Sequence, residues 1–317
     1  MVKLHQLLKQ KSSKRVLTPQ LFESDQAAAQ IADRFIKRIT GLIQELIKVG
    51  YKSPMVLCLD EVERILPLPS DEKSRFEEFN SFFGTLRTLS QDKRLLSLLV
   101  ADVHPDCNRI NHWDYANIPT NPVFGFFKES FVSPFLAHET QEMLLDISKS
   151  MGIEIDTKTL ENIHFLSGGH PFIARQLSSL LYQKCVAKSN PSIQYQDAQK
   201  YLNNPFRYSG ILKDYCSKNI WQDLEKRHFE SAMSIFCVMT FSFSDTELVA
   251  EQKLIDFFKD RFTENECLDA LLWLESVGLL NRDESTEINR YEIRIPLLTQ
   301  WLKMQMKQEE AQQWKIN

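Results

Sequence analysis

The sequence predicts a mixed chain: an α/β portion built on a short parallel sheet, then an all-α region that closes in three helices and a β-hairpin. Three observations carry this. A wholly apolar run, Met-Val-Leu-Cys-Leu at 55–59, ends in the acid pair Asp60-Glu61. From His138 to about Lys226 the periodicity is helical, with one sharp break at Ser167-Gly168-Gly169-His170-Pro171. The last segment then alternates helical stretches with two short strands around a polar turn.

Taken in order, Ile31, Phe35, Ile39, Leu42, Leu46 and Val49 recur at helical spacing, and Gly50 supplies a stop. The apolar run 55–59 follows Pro54 and is expected to be buried on both faces, as in the interior of a parallel sheet. A helix over roughly 72–89 presents Phe76, Phe79, Phe83 and Leu86 on one side, and a second apolar strand is expected at 95–100. Strand, helix, strand makes one βαβ unit, whose functional groups belong at the strands' C-terminal ends. Asp60 and Glu61 sit at one end, Asp102 and His104 at the other.

Between Pro105 and Pro134 the pattern is irregular and rich in phenylalanine (Phe124, Phe126, Phe127, Phe131). Beyond it, helices are expected at 160–166 and 172–188, with Pro171 suited to a first helical turn. Near the end, helices are expected around 229–239 and 252–262. Thr263-Glu264-Asn265-Glu266 has the form of a capping box opening a third helix that Gly278 ends. Residues 279–282 and 291–295, joined by a polar turn, make a hairpin. Three helices and a two-stranded wing describe a winged helix.

Composition narrows the class. Hydrophobic residues at 43% and charged residues at 25% suit a globular protein, and nine glycines and twelve prolines in 317 residues suit a helix-rich one. A formal charge of −4 offers no whole-chain reason for nucleic-acid binding. The start is basic, however: Lys3, Lys9, Lys11, Lys14 and Arg15 precede the first acid, Glu23. The six cysteines are scattered with no Cys-x-x-Cys pair, so neither a zinc site nor a disulfide framework is expected, and a cytoplasmic location is. No run approaches the roughly 18 apolar residues of a membrane span.

The order of these parts resembles the C-terminal portion of an AAA+/STAND-type P-loop ATPase. The residues carrying the resemblance are Leu57-Cys58-Leu59-Asp60-Glu61, Leu98-Leu99-Val100-Ala101, Phe126-Phe127-Lys128-Glu129 and Gly168-Gly169-His170-Pro171-Phe172. Val277-Gly278-Leu279-Leu280 and Tyr291-Glu292-Ile293-Arg294 complete them. The implied fold is an incomplete parallel P-loop-NTPase core over residues 1–135, a helical lid over 136–226, a winged helix over 227–305 and a polar tail over 306–317. The chain departs from the family in one respect. The only glycines before Asp60 are Gly41 and Gly50, neither followed by Lys, so no Gly-Lys-Ser/Thr turn precedes the acid pair. Truncation or an upstream-split gene is the expected origin. A core without its first strand would leave a parallel-sheet edge exposed.

The resemblance implies ATP or ADP and Mg²⁺ as cofactors. Asp60 would hold the metal, and Glu61 would polarise the attacking water. Asp102 or His104 would sense the terminal phosphate. Gly169 and Pro171, with His170 between them, would pack against the base and ribose, and Arg175 would reach a phosphate. Without a backbone cradle, hydrolysis by this chain alone is not expected. The implied role is a regulatory switch whose partner is a protein or an upstream P-loop-bearing segment, with a homo-oligomer also open. Two rivals stand beside it: a nucleotide-independent interaction module, and a winged-helix nucleic-acid binder related to replication-initiation ATPases. The second is weakened by the third helix, whose polar positions are Glu264, Glu266, Asp269 and Glu275 with no Lys or Arg.

Overall fold

The computed structural model describes residues 28–51, 55–66, 72–101, 127–128, 130–185, 191–226, 230–244, 247–283, 285 and 287–306. It divides into two compact units, Met1–Glu129 and Ser130–Asn317.

In the first unit, helix α1 (Ala28–Lys48) ends where Gly50 takes a left-handed φ of 85°. Strand β1 (Met55–Leu59) pairs in parallel with β2 (Leu96–Val100), with Leu57 opposite Leu98 and Leu59 opposite Val100. Helix α2 (Lys73–Arg87) joins them and passes into a π-helical turn, Thr88–Asp92. Its expected apolar stripe is inside: Phe76, Phe79, Phe83 and Leu86 are all buried. Phe79, Phe83 and Leu86 form a core with Val62 and Leu66, against which Phe35, Leu57, Leu59, Leu98 and Val100 pack.

Among the described residues, that core covers the face of Leu57 and Leu59 only. Val56 is 56% and Leu99 59% exposed, and Cys58 is exposed beside them. The expectation of a strand buried on both faces is therefore corrected. Strand side chains alternate between faces, and the clustered apolar side chains of this unit all meet the face of Leu57 and Leu59.

The second unit opens with α3 (Ala137–Ser150), entered through a hydrogen bond from the Leu136 N–H to the Glu139 carboxylate at 2.8 Å. A two-residue parallel bridge follows, β3 (Glu154–Ile155) with β4 (Ser192–Ile193). Between its strands lie α4 (Thr157–Ser167) and α5 (Pro171–Cys185), and after it α6 (Tyr195–Leu202). Asp156 ties this region together. One carboxylate oxygen accepts the Thr159 N–H at 2.7 Å, capping α4, and the other accepts the Tyr195 N–H at the start of α6. Short helices α7 (Gly210–Asp214) and α8 (Gln222–Lys226) flank a second π-helical turn, Tyr215–Trp221.

Helix α9 (Glu230–Ser242) is the centre of this unit: every residue from Ser231 to Thr240 is buried. Around it lie β5 (Val249–Ala250), α10 (Glu251–Phe258), α11 (Glu264–Ser276), β6 (Leu280–Asp283), β7 (Arg290–Ile293) and α12 (Pro296–Gln305). The strands form one antiparallel sheet in the order β5-β7-β6. The capping box that opens α11 is present, with the Glu266 N–H on the Thr263 hydroxyl and the Thr263 N–H on the Glu266 carboxylate at 2.7 Å. Strand β5 and helix α12 were not anticipated. The first is too short to carry a period, and the second begins at a proline that reads as a breaker but is tolerated in a first turn.

One hydrophobic core runs from Leu144 through Ile173 and Phe236 to Leu302, and Trp221 packs on Trp301 with ring centroids 6.2 Å apart. The core is continuous across residues 226–227 because α9 is surrounded rather than amphipathic. Ser234 is fully buried on α9 with no hydrogen-bond partner for its hydroxyl. Ser234→Ala should raise stability by about 1 kcal/mol, since an unpaired buried hydroxyl costs more than it returns. Chemical denaturation checks this, and a loss of stability would mean the hydroxyl is satisfied. Among the described residues no helix is long and apolar enough to cross a membrane.

Candidate functional site

The acid pair stands where the two parallel strands end together. Beyond the Leu59–Val100 pair, the Ala101 N–H donates to the Leu59 carbonyl at 2.8 Å, and the Val62 N–H donates to the Ala101 carbonyl at 3.3 Å. Asp60 and Glu61 therefore abut Ala101. Asp102 and His104 lie outside the described residues.

Asp60 turns back to accept the Glu61 N–H at 2.9 Å. Glu61 itself has φ 57° and ψ 44°, a left-handed conformation that is uncommon outside glycine and asparagine. Such conformations cost free energy and cluster at functional sites. The Glu61 carboxylate pairs with Arg64 at 3.1 Å, but both side chains are more than half exposed, so the pair contributes little.

A Mg²⁺ ion keeps most of its water and needs only one or two protein carboxylates. The exposed Asp60 carboxylate fits that requirement, although no cluster of three or more ligating side chains occurs among the described residues. The phosphates fare differently. The sequence carries no Gly-Lys-Ser/Thr turn, and the space beside the adjacent glycines Gly168 and Gly169 of the second unit is filled by the chain itself.

Those glycines lie between α4 and α5. Gly168 caps α4 in a left-handed conformation with φ 57°, and Gly169 follows with φ 77°. A Cβ on Gly168 would fall 2.0 Å from the Arg294 carbonyl oxygen, and one on Gly169 would fall 2.0 Å from the Phe135 carbonyl oxygen. The Phe135 N–H also donates to the Gly169 carbonyl at 2.9 Å. The close approach that glycine permits here is made by backbone.

His170 is occupied as well. Its Nε2 lies 3.1 Å from the Tyr215 hydroxyl, at the start of the π-helical turn, while its Nδ1 is buried without a partner. Burial lowers its pKa, which favours the neutral ring. Pro171 opens α5, Phe172 packs on Tyr215 with centroids 4.4 Å apart, and Arg175 is exposed one turn further on. Tyr215, Phe135 and Arg294 organise this turn, yet none is signalled by spacing, since all reach it from distant parts of the sequence.

Cys58 reports on the first unit, being exposed on its uncovered sheet face. Burial pushes the thiols of Cys216 and Cys237 up to about 12. A thiol reagent should therefore modify Cys58 rapidly in the native chain and reach Cys216 and Cys237 only after denaturation. Mass mapping of the modified peptides checks this. A protected Cys58 would show that the face is covered.

No protein-family model and no curated protein matches the sequence. Among solved structures, a Walker-type ATPase of Pyrococcus abyssi is similar over 95% of this chain and 75% of its own, with a TM-score of 0.57 and 14% identity. The RuvB Holliday junction branch migration motor of Thermotoga maritima matches over 81% and 71% with a TM-score of 0.34 and 13% identity. The clamp loader delta protein of Bacillus subtilis matches over 90% of both chains with a TM-score of 0.21 and 12% identity. The first of these shows the fold alone, that of the Walker-type ATPase; the other two are too distant to add to it.

Proposed function

We propose that this chain is part of an AAA+/STAND-like ATP-binding regulatory switch, one that does not hydrolyse ATP alone. The observation that carries the reading is the Asp60-Glu61 pair at coincident parallel-strand ends, with Glu61 held in a left-handed turn. Asp60 would hold Mg²⁺, which would supply charge stabilisation to a phosphate, and Glu61, released from Arg64, would orient a water. By the resemblance, Gly169, His170, Pro171 and Arg175 would belong to the lid element, and Asp102 or His104 would serve as the sensor residue. The phosphate cradle comes from a partner protein, an upstream segment or a second copy. The segment from α9 to β7, three helices and a small antiparallel sheet, is read as a winged helix. The exposed acids Glu264, Glu266 and Asp269 on α11 would repel phosphates, so it serves protein contact rather than nucleic acid. Free cysteines among the described residues suit a cytoplasmic protein.

A second reading, a nucleotide-independent interaction module, is favoured by the glycine pair being filled with backbone. One experiment separates them: equilibrium binding of a fluorescent ATP analogue with Mg²⁺ and with EDTA, on wild type and Asp60→Ala. Repeating it with a P-loop-bearing partner tests the cradle. The switch reading expects Mg²⁺-dependent binding that the partner strengthens and Asp60→Ala abolishes. Absence of binding in every arm leaves the interaction module.

A further inference from the structure

The register of the parallel pair sets Val56 beside Ser97 and Cys58 beside Leu99, and all four residues are exposed. Helices α1 and α2 both lie on the other face, where Phe35 and Phe83 share a core with Leu57 and Leu98. Among the described residues neither outer edge of the pair carries a further strand.

A parallel sheet is normally covered on both faces. Handedness decides what can lie on the bare one, because a strand–helix–strand connection between parallel strands is almost always right-handed. Helix α2 makes that connection from β1 to β2 across the covered face. A right-handed connection across the opposite face runs the other way, from the β2 side toward β1. A helix following a strand on the free edge of β1 would therefore step off the sheet. One following a strand on the free edge of β2 passes back over Leu99 and Val56.

The same geometry fixes where the turn between that strand and its helix falls. A strand added in parallel to β2 finishes at the end where Ala101 adjoins Asp60 and Glu61. The turn and the helix N-terminus, with their free amides, come beside the acid pair. A phosphate cradle needs that position, and the sequence has no Gly-Lys-Ser/Thr turn to put there.

We propose that the bare face and the cradle position are one docking site, filled by a strand–turn–helix unit of a partner polypeptide. Its apolar strand lies along β2, its turn carries Gly-Lys-Ser/Thr, and the apolar side of its helix covers Val56, Cys58 and Leu99. The inference rests on the switch reading and names the partner that reading needs.

The test is photocrosslinking of the full chain in its native cell. The probes are Leu99→p-benzoylphenylalanine and, separately, Val56→p-benzoylphenylalanine, and the captured peptide is sequenced. Both positions are more than half exposed, so neither change burdens the fold. The captured peptide should belong to a helix that directly follows a Gly-Lys-Ser/Thr turn. The same probe at Glu78, exposed on α2, should not capture it. Adding the captured protein to the purified chain should slow thiol modification of Cys58 by about tenfold or more. Leu99→Glu should weaken the association by about tenfold or more and leave the melting temperature of the chain alone unchanged. Four results would overturn the proposal: capture of this chain's own residues or of a second copy, a captured protein without the turn, no capture from either position, or undiminished binding of Leu99→Glu. A captured protein without the turn overturns this docking and leaves the switch to its nucleotide assay. Capture of the expected helix with no ATP binding in any arm overturns the switch and keeps the docking.

Discussion

Gly169→Ala should lower the melting temperature of the second unit by about 6–12 °C, corresponding to about 3 kcal/mol for a unit of this size. Two costs combine. At φ 77° an L side chain is strained, and its Cβ would lie 2.0 Å from the Phe135 carbonyl oxygen, a distance no packed pair of atoms tolerates. Relief requires the Phe135 segment to move, which breaks its 2.9 Å hydrogen bond to the Gly169 carbonyl. Gly210 is the control, because a Cβ there meets nothing within 4 Å and its φ is not positive. Gly210→Ala should change stability by less than about 0.5 kcal/mol. Scanning calorimetry of the two variants beside wild type checks the pair. A Gly169→Ala melt within a degree or two of wild type would show that the approach of Phe135 is not tight.

Phe236→Ala should be as costly or more so, about 3–5 kcal/mol, with a fall in melting temperature of about 6–20 °C. Phe236 is fully buried in α9, among residues of one core reaching from Leu144 to Leu302. The cavity left behind has no solvent-facing side into which neighbours could relax. The more telling readout is where protection is lost. Because the core is shared, hydrogen exchange should accelerate together in α4, α5, α11 and α12. If exchange rises in α11 and α12 while α4 and α5 keep wild-type protection, the middle helices and the terminal segment are separable, and the continuity of the core has no energetic meaning.

The parts of the fold legible in the sequence are those written in short-range chemistry. The Thr263–Glu266 capping box, the stop at Gly50, the stripe of Phe76, Phe79, Phe83 and Leu86, and the turn at Gly168-Gly169 all depend on residues a few positions apart. The candidate site was legible to the same degree. The Asp60-Glu61 pair follows an apolar strand as expected, whereas the left-handed backbone of Glu61 and its pairing with Arg64 carry no signature in composition or period. The bare face of β1 could not be foreseen for a related reason. An apolar run states that a strand can be covered on both sides, not that it is, and here Val56 and Leu99 remain exposed.

By itself the sequence determined the local elements, their caps, the acid pair at a strand end and the acidic character of α11, because each is set by neighbours along the chain. The tertiary structure decided what those elements meet. It put the Phe135 and Arg294 carbonyls against the two glycines, the Tyr215 hydroxyl on His170, α9 at the centre of a single core, and the Arg294 guanidinium on the neutral amide of Asn281. Each of these joins residues far apart in the chain. Glycine, histidine and arginine advertise the freedom, the ring or the charge they bring, but only packing chooses the partner that uses it.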